Sequence, residues 1–382
     1  MAALLLLPVA AQCASSISVS TDGQYQYNSN VFDVQEGRPV PGTSDLRHDD
    51  RYYRYGGEID LREQWQQQRV HATLAASQYK YDHFRRLDHG EFKFDIGSDW
   101  RLGAFLDGGI EAIRSRTQVA FTEVFQAFAA IQTEQRANAN LGFQLAPAWR
   151  LETNGYWRHV QEPLPQAPLL TLGESAGQAA LKFNAGGALT FGVSASYLAG
   201  IFTHADAAVN PSYREQSAAL LFTYDNRGRS NVTGQGGYSR RKSLDSRVSA
   251  SSPTGRVDIV HRLTGKTNLH LAFSRSINSY LTNSSSQLSS DAALSLRWSA
   301  TRKATVDVGY HLTANTLPDQ GALPGTNRND RVRGFNLRID YDVRPWLMIR
   351  PYVSEQTRNS NLSLANFIGT VYGVEVRGTL RH

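Results

Sequence analysis

The chain has 382 residues, with 40 Lys and Arg against 34 Asp and Glu, for a formal net charge of +6. The basic residues are interleaved with acidic ones along the chain and form no basic stripe, so no nucleic-acid partner is expected. After the first residues, no apolar run approaches the roughly 20 residues that a membrane helix needs, which excludes a helical membrane protein. Abundant Gly and aromatic residues, with 1 Cys and 2 Met, favour many short strands joined by turns.

Residues 1–14 read MAALLLLPVAAQCA, an apolar stretch followed by small residues. This pattern predicts a secretory signal peptide, and the missing basic segment before it indicates that its N-terminal part is truncated. Lipidation of Cys13 is disfavoured because Gln12 is a poor residue at that position. Residues 15–382 are then expected to form a single domain.

From about residue 50 onward, apolar residues recur at every second position over segments of roughly 10 residues, the period of a strand with one apolar and one polar face. In residues 189–197, Leu, Phe, Val, Ala and Tyr alternate with Thr, Gly and Ser. The same alternation is found at 306–313, 335–341 and 372–377. An opening strand is expected near 17–27 and a closing strand near 371–381.

The joints between these segments alternate between short turns and long polar connections. Short turns are predicted at 66–68, 97–99, 146–148, 184–187, 225–229, 264–266, 299–303 and 343–345. Longer connections are predicted at 28–50, 162–170, 315–330 and 357–365. This asymmetry is typical of an all-β, up-and-down antiparallel transmembrane barrel with short periplasmic turns and longer extracellular loops. Counting gives about 18 strands, with 16 as the alternative; residues 120–130 could instead form a loop helix or a plug.

Five tryptophans flank the predicted short turns, where a periplasmic girdle of interfacial aromatic residues would lie. They are Trp65, Trp100, Trp149, Trp298 and Trp346. The alternative is that they lie at strand ends of a soluble β-sandwich, which also shows alternation. The girdle favours integration into the bacterial outer membrane, with outer-membrane lipid as a partner.

If the apolar faces contact lipid, the alternate positions line the lumen, because a charge facing mid-bilayer lipid costs about 2–4 kcal/mol. The predicted lumen-lining residues are Glu58, Asp60, Arg62, Lys93, Asp95, Asp107, Glu152, Tyr156, Arg158, Arg256, Asp258, Arg262, Arg297, Asp307, Arg338, Asp340, Arg350, Tyr352, Glu375 and Arg377. Such a wall predicts a hydrophilic conduit; the alternative is an ion-pair network that only stiffens the barrel. Tyr79, Tyr81, Tyr156 and Tyr352 could together form a track for sugar rings.

No catalytic or cofactor site is expected. Residues 173–177, Gly-Glu-Ser-Ala-Gly, match the nucleophile-elbow pattern, but that pattern requires a strand before it and a helix after it, and a strand follows here. The 10 histidines show no HExxH and no paired metal spacing, so no metal is predicted. His71, His270 and His311 are interpreted as lumen-facing polar residues.

One segment resembles a known family. Residues Tyr27-Asn28-Ser29-Asn30-Val31-Phe32, followed by Asp49-Asp50 before the second strand, are similar to the Asn-Val-Phe segment and acidic pair of the β-barrel porin family that includes the EpsL-like proteins of exopolysaccharide operons. The resemblance implies export of a secreted exopolysaccharide through the polar lumen. It also implies polysaccharide and a periplasmic polysaccharide-export protein as partners. The alternatives are a general or substrate-specific diffusion porin, an outer-membrane enzyme, and a structural or adhesive surface barrel.

Overall fold

In the computed structural model, the described residues are 13–40, 43–119, 121, 129–162, 170–203, 212–226, 228–244, 249–280, 284–317 and 327–381. They form 18 strands and two single-turn 3-10 helices, Arg85–Leu87 and Ser363–Ala365. The strands are β1 (Cys13–Asn28), β2 (Asp50–Trp65), β3 (Gln68–Tyr81), β4 (His89–Leu102), β5 (Leu106–Gln118), β6 (Ile131–Ala146), β7 (Trp149–Glu162), β8 (Leu170–Gly186), β9 (Leu189–Thr203), β10 (Tyr213–Asn226), β11 (Ser230–Ser243), β12 (Ser249–Thr264), β13 (Thr267–Tyr280), β14 (Ser284–Ser299), β15 (Ala304–Leu317), β16 (Arg328–Arg344), β17 (Leu347–Ser360) and β18 (Phe367–Arg381). No helix in these ranges is long and apolar enough to cross a membrane.

Each strand pairs antiparallel with its neighbours in sequence, and the sheet closes where β1 pairs with β18. The closing register runs from Ser18 opposite Arg381 to Asn28 opposite Val371, so the seam is paired along most of its length. Because no strand edge is left unpaired, every strand can satisfy its backbone hydrogen bonds inside a bilayer. The predicted up-and-down barrel of 18 strands is confirmed.

The two ends of the barrel differ as predicted. Seven of the eight predicted short turns coincide with the strand junctions at one end, and the four predicted long connections lie at the other. The prediction of a turn at 97–99 is wrong: these residues lie inside β4, and the turn follows Leu102, where Gly103 adopts a positive φ of 63°. Gly97 is needed for packing, since a Cβ there would lie 2.5 Å from His71 Cε1. Sequence alone did not separate these two uses of glycine.

Two further predictions fall partly outside the described residues. Strand β1 begins at Cys13, and residues 1–12 are not described, so the signal peptide remains a prediction. In the segment 120–130, residues 120 and 122–128 are not described, so the loop helix or plug is also left as a prediction. Phe121 is described and is buried against other loop residues.

The two faces of the sheet have opposite chemistry. On β10, Leu220 is 70% exposed on the outer face, whereas Tyr213, on the inner face, is fully buried. The exposed large apolar residues Val193, Leu271 and Phe335 lie on the same outer face of their strands. An outer surface of this kind is stable only when hydrocarbon covers it. The protein is therefore an integral β-barrel of the bacterial outer membrane.

The predicted tryptophans lie at the end of the barrel with the short turns. Trp65 and Trp149 stand at strand termini there, Trp298 lies one residue before the end of β14, Trp100 lies two residues before the end of β4, and Trp346 lies in the turn after β16. Their interfacial role remains a prediction. The sixth tryptophan, Trp157, lies on the outer face nearer the loop end and stacks on His159 with ring centroids 5.9 Å apart. Sequence analysis did not single it out.

Candidate functional site: the barrel lumen

The register places every predicted lumen-lining residue on the inner face. Glu58, Asp60 and Arg62 of β2, for example, alternate with Ile59 and Leu61, which are exposed on the outer face. By the same alternation, the inner wall carries Lys93, Asp95, Asp107, Glu152, Tyr156, Arg158, Arg256, Asp258, Arg262, Arg297, Asp307, Arg338, Asp340, Arg350, Tyr352, Glu375 and Arg377. Their contribution to solute passage stays a prediction.

On one side of the wall these charges form a continuous row of ion pairs across five neighbouring strands. We call Arg297, Asp307, Arg338, Asp340, Arg350 and Glu375 the charged belt. Arg338 Nη2 lies 3.0 Å from Asp307 Oδ2 and Arg350 Nε lies 2.6 Å from Asp340 Oδ1. Arg350 Nη1 also lies 3.1 Å from Glu375 Oε2. Arg338 and Arg350 each lie between two carboxylates, and Arg297 at the end of the row contacts Asp307, so the belt presents both signs of charge to the lumen.

A second row of ion pairs lies on β5, β7 and β8, on the side of the barrel opposite the charged belt. Arg150 Nη2 lies 2.7 Å from Asp107 Oδ1, and its Nε lies 3.0 Å from Glu152 Oε1. Lys182 Nζ lies 2.5 Å from the other oxygen of Glu152. Gly142 makes room for the Arg150 guanidinium in this row, since a Cβ there would lie 1.9 Å from Arg150 Nη2. The tight packing fixes the guanidinium against the wall.

A third group lies nearer the loop end of the barrel. Arg158 bridges Glu134 and Glu174 at 3.0 and 3.1 Å, and the Tyr213 hydroxyl donates a hydrogen bond to Glu174. The Arg241 guanidinium lies 4.2 Å from the centre of the Tyr213 ring. Arg241 is also ion-paired with Glu215, 2.7 Å away. These interior charges are extensively paired, in agreement with the cost of burying a charge without a partner.

The loop between β1 and β2 folds over the inner wall at the mouth of the barrel. Its apolar side chains pack against those of the next two long loops and against inward-facing tyrosines of β2 and β3. This mouth cluster consists of Val31, Phe32, Val34, Val40, Tyr81, Phe84, Leu87 and Phe121, with Tyr52 and Tyr79 packed against it. Phe32 is 2% exposed and makes edge contacts with Phe84 and Phe121, whose ring centroids lie 4.7 and 5.1 Å away. The loop therefore narrows this side of the entrance.

Buried polar side chains fix the loop in this position. Asn30 Nδ2 donates to the carbonyl oxygens of Val34 and Ile368 at 2.7 and 3.0 Å, and Asn30 Oδ1 accepts from the Val34 amide. The fully buried Asp50 accepts hydrogen bonds from the backbone amides of His83 and Phe84. Asn30 and Asp50, which belong to the residues that carry the family resemblance, thus hold the loop in place at the mouth.

One carboxyl in this loop has an unusual environment. Asp33 has a positive φ of 52°, and its carboxyl is buried near Arg358. Burial raises the pKa of Asp33 to about 7, although the Arg358 charge acts in the opposite direction. Asp33 is therefore expected to change its charge near neutral pH.

Of the four tyrosines predicted as a sugar track, Tyr79 and Tyr81 both pack against Tyr52, with ring centroids 6.0 and 4.9 Å away. Tyr79 stacks on His89, with ring centroids 4.5 Å apart, and Tyr81 is buried in the mouth cluster. Tyr352 hydrogen-bonds to glutamines of β1, whereas Tyr156 lies on β7 beneath an arginine. Protein contacts occupy much of these rings, and the sugar track stays a prediction.

Two motif-level expectations can be compared with the geometry. Ser175 lies on the outer face within the continuous strand β8, which is not the strand-to-helix turn that a nucleophile elbow requires. His71, Asp95 and Glu111 lie on three adjacent strands with their ligand atoms within 4.8 Å of one another, so they could hold a divalent cation. Sequence analysis missed this group because its members follow no local spacing. Lys93, 3.1 Å from Asp95, already neutralises part of its charge.

Comparisons with known proteins give a fold likeness. No family model matches the chain, and no curated protein matches. Among solved structures, Pseudomonas aeruginosa OpdO has a TM-score of 0.50 at 12% identity, covering 96% of this chain and 97% of its own. P. aeruginosa OpdK with vanillate and Acinetobacter baumannii OccAB4 each have a TM-score of 0.49, at 12% and 9% identity. They cover 96% and 97% of this chain and 99% of their own chains. The chain shares the barrel fold of OpdO.

Proposed function

We propose that this barrel is a passive diffusion channel that carries small hydrophilic solutes across the outer membrane. The observation that carries the proposal is the charged belt, a row of ion-paired side chains on the inner wall of a barrel with an apolar outer face. Paired charges keep hydrogen-bonding capacity toward water, so they suit a wetted wall. We infer that the protein acts without catalysis, as a conduit.

The mixed signs of the wall support passage without tight binding. A solute that contacts Arg350 also meets Asp340 and Glu375 within a few ångströms, so neither a simple cation nor a simple anion gains a deep site. Conduction requires binding that is weak enough to release the solute. We therefore propose weak ion selectivity, with a size limit imposed by the mouth cluster.

Export of an exopolysaccharide, which the family resemblance implies, is the weaker proposal. The mouth cluster fills part of the inner wall at the entrance, and protein contacts occupy much of the Tyr79 and Tyr81 rings, which leaves less aromatic surface for sugars. The OpdO likeness is one of fold and adds nothing for polysaccharide. Polysaccharide and a periplasmic export protein stay as predicted partners of this alternative only.

The test is reconstitution of the purified chain into planar bilayers and into liposomes. We expect single-channel conductance and swelling of liposomes in small sugars, with entry falling steeply as oligosaccharide length increases. A polysaccharide exporter would instead admit long glucans, and a structural barrel would conduct no ions. Either result would refute the proposal.

A pair of variants on one strand provides the control. Arg338 lies on the inner face of β16 in contact with Asp307, whereas Arg333 lies on the outer face of the same strand. Arg338→Gln should change conductance and selectivity. Arg333→Gln removes the same charge from the outer surface and should leave both unchanged. Equal effects from the two variants would mean that the lumen is not the conducting path.

A further inference from the structure

Three basic residues form a patch on the outside of the barrel near the loop end. Arg214 lies one residue from the start of β10, and Arg240 and Lys242 lie near the end of β11. Arg214 stands directly opposite Lys242, and Arg240, two residues before Lys242 in β11, stands opposite Gln216. We call these three residues the outer basic patch. Directly paired positions bring Cβ atoms to about 5 Å, so the charges share one surface.

The alternation of both strands places the patch on the lipid-facing side. Arg241, between Arg240 and Lys242, is 4% exposed and points inward, where it contacts Glu215 and the fully buried Tyr213. Its two neighbours must therefore point outward, and both are exposed.

The outer basic patch differs from the interior charges in its pairing. Interior arginines such as Arg158 and Arg350 each contact two carboxylates. By contrast, none of the three patch residues forms an ion pair within the described part of the chain. Like charges in direct cross-strand register repel each other, so an anion bound at this position would relieve the repulsion.

The surface next to the patch fixes its depth in the membrane. Toward the barrel centre, Tyr238 is 53% exposed and Leu220 is 70% exposed on the same outer face, with Tyr197 on the neighbouring strand. Aromatic residues of this kind mark the headgroup level, and apolar ones mark the acyl chains. The three cations thus lie just beyond the acyl region, at the level of headgroup phosphates in the outer leaflet.

We propose that the outer basic patch binds the phosphates of a phosphorylated glycolipid of the outer leaflet, whose acyl chains cover Leu220. Arginine supplies paired N–H donors that match phosphate oxygens, and Lys242 adds a point charge. The patch is independent of the lumen, so this inference stands or falls separately from the proposed channel function.

The test uses the full chain in detergent, titrated with bisphosphorylated lipid A and with its fully dephosphorylated counterpart, with bound lipid measured by native mass spectrometry. The wild type should prefer the phosphorylated lipid by about tenfold or more, since three charge contacts of modest strength add up to that factor. Arg214→Gln, Arg240→Gln and Lys242→Gln combined should abolish this preference while channel conductance is retained. Binding of the phosphorylated lipid should also weaken as salt increases.

A matched control removes three charges from the other end of the barrel. Lys266, Arg302 and Lys303 are exposed in two adjacent short turns. Their combined replacement by Gln should leave the lipid preference intact. The proposal is overturned if the outer-patch variant still prefers the phosphorylated lipid, or if the turn variant loses the preference to the same degree. It is equally overturned if the wild type shows no preference. Circular dichroism should show that both variants are folded barrels.

Discussion

Arg350 offers the sharpest test of how the inner wall treats ions. Its guanidinium lies 2.6 Å from Asp340 and 3.1 Å from Glu375, so it offsets one of two carboxylate charges. Arg350→Gln leaves both carboxylates in place and adds one net negative charge to the charged belt. We expect the channel to become more selective for cations.

The size of the effect follows from Coulomb's law. A unit charge acts on an ion about 7 Å away in water with about 0.6 kcal/mol. Salt at about 0.1 M, with a screening length near 10 Å, reduces this energy to about 0.3 kcal/mol. Cations gain and anions lose this amount, so the ratio of cation to anion permeability should rise about threefold.

The assay is the reversal potential of single channels in a KCl gradient kept near that ionic strength. The double variant Arg350→Gln with Glu375→Gln removes one charge of each sign and should return the reversal potential toward the wild-type value. An unchanged reversal potential in a folded Arg350→Gln channel would refute the assignment of this side chain to the conducting path. Failure of the double variant to restore the wild-type value would show that geometry, and not charge, controls selectivity.

Three further predictions concern the mouth and the outer face. Phe32→Ala removes a ring buried in the mouth cluster. In a well-packed core, such a cavity lowers the free energy of unfolding by about 3–5 kcal/mol. We therefore expect a looser loop, a larger conductance and faster proteolysis of the loop. Burial raises the pKa of Asp33 to about 7, above the value near 4 in an unfolded chain, so its stabilising contribution to the folded loop is present at low pH and is lost as pH rises through 7. Conductance should therefore be larger at pH 8 than at pH 5, and Asp33→Asn should flatten this dependence. Leu220→Arg places a charge in mid-bilayer lipid and should destabilise the barrel by about 2–4 kcal/mol in a lipid refolding titration, whereas Leu221→Arg, facing the lumen, should cost much less; equal losses would contradict the assignment of faces.

The division of the chain into strands followed from local chemistry. Alternation with a period of two is a property of each segment by itself, so the apolar face of β9 and the polar face of β16 were readable without any partner strand. The prediction at Gly97 failed for the converse reason. Its role depends on His71 from the neighbouring strand, and only the pairing of β3 with β4 brings the two together.

The sequence alone determined that the chain is a closed barrel with charged residues on its inner wall, because the cost of exposing a charge to lipid constrains each strand separately. Tertiary structure decided which charges meet. Arg350 contacts residues 10 and 25 positions away in the chain, and the mouth cluster joins three loops. The outer basic patch likewise required the register of β10 against β11, which sets Arg214 opposite Lys242. Such contacts depend on how strands align across the sheet, and alternation within one strand carries no information on that alignment.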